Sequence, residues 1–196
     1  MKQALHTLAA LSLLALLSPV ARAQLDALIP GCEACHGPDG VSQMNDVPTI
    51  AGISALVLDD AIHAYREGNR SCESTTGSPL KMCGPANALS EDIIAGIAEH
   101  YAGLPFVAAE QETDAAKVAQ GKVIHDRDCE ICHRRGGTDP ADDAGILGGQ
   151  HMGYLQHVLT EYQMGARPQP RPMEAKMAPL SAADIDALVH FYGSHR

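Results

Sequence analysis

The stretch Cys32-Glu33-Ala34-Cys35-His36 returns 97 positions later as Cys129-Glu130-Ile131-Cys132-His133. A Cys-x-x-Cys-His motif is the attachment signature of a c-type haem. Its two thiols meet the two vinyl groups of one porphyrin, and the histidine that follows is placed to coordinate the iron. Two copies in a chain of 196 residues therefore predict two covalently bound haem c groups, the pattern of a dihaem electron carrier.

Other uses of paired cysteines fit this pattern less well. A zinc site needs four ligands gathered together, and a thiol redox pair has no need of the adjacent histidine. We therefore predict that four cysteines attach haem and that a histidine of each motif is the proximal iron ligand. These residues are Cys32, Cys35, Cys129 and Cys132, with His36 and His133.

The similarity of the two halves extends beyond the motifs. At the same offset of 97, several glycines and Tyr65 recur, the latter as Tyr162. After six extra residues in the first half the offset becomes 91, and Tyr101 then matches Tyr192. A fixed period is typical of duplicated structural units. We predict two tandem domains related by internal duplication, over residues 24–107 and 114–196.

The pattern of apolar residues predicts helices throughout. Helical spacing favours helices from about Ala55 to Glu67 and from Met152 to Met164, and a longer one from Asp114 to Cys132. Ser90 and Ser181, each followed by acidic residues, are typical N-caps for the last helix of each half. No alternating strand pattern is present, so the predicted fold class is all-α.

The N-terminus predicts export. Lys2 precedes the apolar run Leu8–Leu17, and Ala21-Arg22-Ala23 fits a small-x-small cleavage site, so residues 1–23 read as a cleaved signal peptide. The run is short for a bilayer-spanning helix, which needs about 20 residues, although an uncleaved anchor is the alternative. We expect a periplasmic mature chain with no membrane span. The net charge of the full sequence, −10, disfavours nucleic acid as a partner.

The sixth iron ligands are predicted from the repeat. Met82 and Met173 match, each eight residues before the serine that starts the last helix, and we expect them on loops that reach back across the porphyrin. A thioether ligand favours ferrous iron and raises the reduction potential. Met177 is the competitor in the second half. Ligation by a second histidine is the other alternative, although five of the remaining histidines lack a matching histidine in the other half.

Two further pairs of residues have open interpretations. Cys72 and Cys83 flank the extra segment of the first half, where a disulfide would clamp the loop that presents Met82. A soft metal such as copper is the alternative for these sulfurs. Arg70 and Arg167 recur in register, and they either pair with haem propionates or serve helix packing and surface charge.

With the motifs and the repeat in place, the chain resembles the dihaem cytochromes of the c-four type, over essentially the whole mature sequence. Its second half is most similar to the dihaem cytochrome subunit of flavocytochrome c sulfide dehydrogenase. That resemblance is carried by three strings: residues 124–133 (Ile-His-Asp-Arg-Asp-Cys-Glu-Ile-Cys-His), residues 146–150 (Ile-Leu-Gly-Gly-Gln) and residues 171–177 (Arg-Pro-Met-Glu-Ala-Lys-Met). In that family the first methionine of the last string is the ligand, which is Met173 here.

The resemblance implies a division of labour between two proteins. An FAD-containing flavoprotein would oxidise sulfide, and this chain would pass the electrons through its haems to a soluble acceptor cytochrome. No Gly-x-Gly-x-x-Gly follows a strand, and no catalytic residue set is evident, so we do not expect the chain to be an enzyme on its own. Two alternatives are a free-standing cytochrome that donates to a terminal oxidase, and an enzyme acting at one haem, for example on thiosulfate.

Overall fold

The computed structural model describes residues 19–72 and 82–196, and all regular structure in these ranges is helical. The predicted all-α class is confirmed. The helices are α1 (Pro19–His36), α2 (Ala55–Arg66), α3 (Cys83–Asn87), α4 (Glu91–Ala102), α5 (Ala115–Asp128), α6 (Arg134–Gly137), α7 (Met152–Gln163), α8 (Arg171–Met177) and α9 (Ala182–Gly193). Short 3₁₀ turns follow each motif, at Pro38–Gly40 and Pro140–Asp142.

Helices α2 and α4 of the first half, and α7 and α9 of the second, lie where the sequence predicts them. Helices α2 and α7 each end one residue before the predicted position, and Ser90 and Ser181 are the N-caps of α4 and α9. Ser181 forms a capping box with Asp184, in which each side chain accepts a hydrogen bond from the backbone N–H of the other residue. Ser90 makes no such side-chain bond.

The helices that lead into the motifs differ from the prediction. Helix α5 ends at Asp128, so the second motif follows it in a series of turns, and α1 is the longer helix and runs through the first motif to His36. The reason lies at His125, whose carbonyl accepts from the amides of both Cys129 and Glu130. The second of these hydrogen bonds spans five residues instead of four, so it widens the last turn and ends the regular α-helix there.

Each half has its own apolar core. In the first half, α1, α2 and α4 surround Tyr101 and a set of buried isoleucines, and in the second half α5, α7 and α9 surround Tyr192. Both tyrosines are fully buried. Ile146 is an exception to the division, because it lies in the second half of the sequence but packs into the core of the first. The predicted domain boundaries stay a prediction.

Helices α5 and α9 cross at a glycine. A side chain on Gly121 would run into the backbone carbonyl of Ala187, so only glycine lets the two backbones approach this closely. The crossing buries Ile124 and His125 of α5 against Phe191 and Tyr192 of α9. It thereby places the last helix of the chain directly behind the second Cys-x-x-Cys-His motif.

The predicted export signal falls largely outside the described residues. Only residues 19–23 of it are included, as the first turns of α1. Among the described residues, no helix combines the length and the apolar character that crossing a bilayer requires.

We predict that Gly121→Ala lowers the free energy of unfolding by about 1–3 kcal/mol, because the added methyl group forces α5 and α9 apart. Gly31→Ala is the matched control, since Gly31 lies in α1 with open space around it. That change is expected to stabilise by about 0.5–1 kcal/mol, through helix propensity alone. Thermal unfolding of the two holoprotein variants measures both effects. Equal stability of the two variants would contradict the assigned helix crossing.

Candidate haem sites

The four cysteines of the two motifs take no part in a disulfide. Cys32, Cys35 and Cys129 are half-buried and Cys132 is exposed. In the second motif the amides of Cys132 and His133 both donate to the Cys129 carbonyl, at 3.1 and 2.9 Å, which keeps the residues of the motif in one tight turn. Burial raises the pKa of the Cys32 and Cys129 thiols.

His36 is held by a backbone carbonyl of its own half. Its Nδ1 lies 2.9 Å from the carbonyl oxygen of Pro48, and since a carbonyl only accepts, Nδ1 carries the hydrogen. The other ring nitrogen, Nε2, is then left with its lone pair, which is the form that binds iron. Burial also lowers the pKa of His36, so that the ring is neutral.

His133 has a different environment. It too has a lowered pKa, caused first by burial and then by the nearby charge of His125. Its Nδ1, however, is buried and has no hydrogen-bond partner among the described residues. The repeat places Gly145 where the first half has Pro48. The two motif histidines are therefore equivalent in sequence and unlike in their hydrogen bonding.

A buried tyrosine stands behind each motif. Tyr101 lies beside Cys32, and Tyr192 lies beside Cys129. Burial raises the pKa of both hydroxyls, so they are neutral donors at physiological pH. The Tyr101 hydroxyl makes no standard hydrogen bond to a described residue, whereas that of Tyr192 lies 3.0 Å from Nδ1 of His125. The residue that matches His125 in the first half is Leu28.

The glutamate inside each motif fixes the loop that follows it. Glu33 Oε1 accepts from the amide of Asp39 at 2.9 Å, and Glu130 Oε1 accepts from the amide of Arg135 at 3.0 Å. Both amides belong to residues with positive φ, at 53° and 54°, a backbone conformation that needs outside support in a residue other than glycine. The other oxygen of Glu130 lies 2.5 Å from Nε2 of the buried His125, and this bond lowers the pKa of Glu130.

These glutamates were not among the predicted site residues. The signal was present, since both motifs read Cys-Glu-x-Cys-His with the same acidic residue at the same place. Its role depends on where the chain turns after the histidine, which the motif does not contain.

Met173 lies in a short helix rather than in the expected loop, whereas Met82 directly precedes one. Met82 is the N-cap of α3 and is half-buried, and residues 73–81 before it lie outside the described ranges. Met173 is the third residue of α8 and lies partly buried at the edge of the second core. Met177 is 4% exposed and belongs to that core. The structure thus gives Met177 a packing role and leaves Met173 at the margin.

Cys72 and Cys83 are paired in the structure, with their Cα atoms 5.8 Å apart. The pairing ties the start of α3 to the segment that follows α2. Because Cys83 adjoins Met82, the link restrains the backbone at this methionine. Paired sulfurs are not thiolates, so this arrangement does not provide the soft ligands that a copper site needs.

Arg70 and Arg167 stack on the matching tyrosines. The guanidinium carbon of Arg70 lies 4.1 Å from the ring centre of Tyr65, and that of Arg167 lies 4.7 Å from the ring centre of Tyr162. Such cation–π contacts are stabilising. Burial raises the pKa of each tyrosine, and the charge of the arginine in the other half also acts on it. The two pairs therefore lie together where the halves meet.

The halves are joined by hydrogen bonds between the loop before α2 and the start of α7. Gln150 binds both backbone groups of Thr49, with Oε1 accepting from the amide at 3.0 Å and Nε2 donating to the carbonyl at 2.7 Å. The Asn45 side chain accepts from the amide of Gly153 at 3.0 Å. Gln150 and Thr49 are both fully buried.

Comparison with known proteins identifies the family. Cytochrome c4 from Pseudomonas aeruginosa is 31% identical over 172 residues, with 80% of each chain covered. The chain belongs to the cytochrome c4 family. No protein-family model matches it. The thiosulfate dehydrogenase electron acceptor of Stutzerimonas stutzeri is 36% identical over 77 residues, which cover 39% of this chain and 33% of that protein.

Solved structures agree with this placement. Reduced cytochrome c4 from Pseudomonas stutzeri superimposes with a TM-score of 0.73 at 27% identity, covering 90% of this chain and 98% of that one. The thiosulfate dehydrogenase of Marichromatium purpuratum gives a TM-score of 0.69 at 25% identity, but only 36% of that longer chain is covered. As a cytochrome c4, this protein is an electron-transfer protein with two covalently bound haem c groups.

The residues of both motifs fit this prosthetic group. Each motif offers the porphyrin two cysteines that form no disulfide, and it offers the iron a neutral imidazole. The buried Tyr101 hydroxyl, which lacks a partner among the described residues, is also what a polar group completed by a cofactor would leave. The donor set suits haem in both halves.

We predict that Glu130→Ala destabilises this cytochrome c4 more than Glu33→Ala does. Glu130 holds the loop after the second motif and also the buried His125, whereas Glu33 supports a single loop amide. Chemical denaturation of the two holoproteins, followed by haem absorption, compares the losses. The same loss in both variants would mean that the bond to His125 contributes nothing to stability.

Proposed function

We propose that this cytochrome c4 is a periplasmic electron carrier whose haems are held, one in each half, by the duplicated motifs. Cys32 and Cys35 would attach the first group, and Cys129 and Cys132 the second. The observation that carries the assignment is the neutral imidazole of His36, whose Nδ1 donates to the Pro48 carbonyl so that Nε2 can coordinate iron, next to two cysteines that form no disulfide. Each haem supplies a one-electron ferric–ferrous couple when bound.

The same proposal assigns His36 and His133 as proximal ligands, and Met82 and Met173 as the ligands on the opposite faces. The edge position of Met173 supports it over the core residue Met177. A thioether stabilises ferrous iron, so both centres would work at high potential. The disulfide between Cys72 and Cys83 would hold Met82 in place. Residues 1–23 would direct export and be removed.

We further propose that the electrons come from an enzyme that oxidises a reduced sulfur compound. The resemblance of the second half to the sulfide dehydrogenase subunit supports an FAD-containing flavoprotein as donor. The similarity to a thiosulfate dehydrogenase electron acceptor supports a thiosulfate-oxidising enzyme instead. In either case a soluble cytochrome would be the acceptor, and this chain would supply no catalytic residue.

The distribution of charge supports docking of different partners on the two halves. Residues 24–107 contain eleven Asp and Glu against three Lys and Arg, whereas residues 114–196 contain eleven against nine. A strongly acidic half attracts a basic surface and raises the rate of encounter at low ionic strength.

We predict that Met173→Leu abolishes the far-red absorption band of methionine-ligated ferric haem at one centre and lowers its potential, because the thioether is lost. Met82→Leu should do the same at the other centre. Met177→Leu is the matched control and should keep both bands. Absorption spectra and redox titration of the oxidised holoproteins measure these changes. Loss of a band in the Met177 variant alone would assign that residue as the ligand.

The donor is tested with the purified holoprotein in its oxidised form. We expect rapid reduction by one of two mixtures, sulfide with a flavoprotein sulfide dehydrogenase or thiosulfate with a thiosulfate dehydrogenase, and none by the substrate alone. Stopped-flow spectroscopy gives the rates, and purification from the native cell shows whether a flavoprotein co-elutes. Failure of both enzymes, with rapid electron donation to a terminal oxidase, would replace this proposal by the free-standing carrier.

A further inference from the structure

One peptide group of the first half is hydrogen-bonded on one side to the proximal histidine and on the other to a glutamine of the second half. The carbonyl of the peptide between Pro48 and Thr49 accepts from Nδ1 of His36 at 2.9 Å. The N–H of the same peptide donates to Oε1 of Gln150 at 3.0 Å. A continuous chain of hydrogen bonds therefore runs from Gln150, in the second half of the molecule, through the 48–49 peptide to the proximal imidazole of His36 in the first half.

The hydrogen bonds of Gln150 fix the orientation of its side-chain amide. Its Nε2 donates to the Thr49 carbonyl at 2.7 Å, so the amide cannot rotate by half a turn without facing donor to donor and acceptor to acceptor. Its own carbonyl accepts from Gln111 at 2.7 Å. Gln150 is 0% exposed and Thr49 is 1% exposed, so water does not compete for these bonds.

Consecutive hydrogen bonds through one peptide polarise each other in a dry environment. Because Gln150 accepts from the N–H of this peptide, the Pro48 carbonyl becomes a stronger acceptor. A stronger acceptor for the Nδ1 hydrogen in turn makes the His36 imidazole a more basic ligand. We infer that Gln150 is a positioning residue for the first haem, acting across the junction through the 48–49 peptide on His36. It sets the basicity and the orientation of a ligand that belongs to the other half.

The second haem has no equivalent of this chain. The repeat places Ile53 where the second half has Gln150, and Gly145 where the first half has Pro48. His133 Nδ1 has no partner among the described residues. A change at Gln150, which lies in the second half, should therefore alter the first haem and leave the second unchanged. This inference rests on the proposed ligation by His36.

The test is the potential of each haem in Gln150→Leu, which removes both side-chain bonds at nearly constant volume. A less basic imidazole stabilises ferric iron less, so the first haem's potential should rise and the second should stay at its wild-type value. Asn45→Ala is the matched control, because it removes a hydrogen bond of the same junction that does not involve the 48–49 peptide. It should shift neither. NMR-resolved redox titration assigns each potential to its haem.

Equal potentials in Gln150→Leu and the wild type, or the same shift in Asn45→Ala, would overturn the inference. Mass spectrometry separates this result from failure of the proposed function, since a variant or wild-type protein without haem on the first motif shows a mass for one haem only. Only two-haem samples enter the comparison.

A measurement on the wild type covers the case in which Gln150→Leu does not fold. Ferric iron makes Nδ1–H a stronger donor, so the chain should tighten on oxidation, and the Thr49 amide should exchange with solvent more slowly in the oxidised holoprotein than in the reduced one. The Gly153 amide, at the same junction but outside the chain, serves as reference. The same exchange ratio between oxidation states at both amides would contradict the inference.

Discussion

The crossing of the first and last helices in the C-terminal half is the contact on which that site depends. Gly121 lets α5 reach the backbone of α9, and this approach carries Tyr192 to the second motif and buries His125 between them. Glu130 then bonds to His125 and to the loop after the motif. The absence of a side chain at Gly121 thus determines how closely α5 and α9 pack behind the haem-binding cysteines. The motif itself keeps its shape without forming regular helix.

The two halves share a plan and differ in its details. Each has a buried tyrosine behind its first cysteine and a glutamate that supports a left-handed turn. The replacement of Leu28 by His125 and of Pro48 by Gly145 nevertheless gives each motif histidine a different set of neighbours. Two haems attached by the same five-residue pattern would therefore have different electronic surroundings. In a relay, such a difference gives the electron a preferred direction.

The sequence was sufficient wherever the signal is local. The motifs, the all-α class and the serine N-caps depend on residues within a few positions of each other, and the helices α2 and α7 end within one residue of the prediction. The duplication needs only a comparison of the sequence with itself at a fixed offset. The end of α5 was predicted wrongly, because the apolar pattern continues through a motif whose turn is set by the His125 carbonyl.

What the sequence did not reveal depends on contacts between distant segments. The bond between His36 and Pro48 requires the path of the loop, and the bonds between Gln150 and Thr49 join residues 101 positions apart. The edge position of Met173 and the core position of Met177 likewise depend on how α8 packs, which neither methionine's sequence neighbours determine. Matching positions in the repeat could suggest the ligand but could not describe its surroundings.

The exchange of Ile146 between the cores has a consequence for how this molecule can change over evolutionary time. Both contributions run in one direction, because Ile146 fills part of the core of the first half and Gln150 bonds to its backbone, and both residues belong to the second half. Separating the duplicated units would strip the first of part of its interior. A recombination event that replaced only the second unit would therefore have to keep an isoleucine and a glutamine at these two positions for the first unit to retain those contacts.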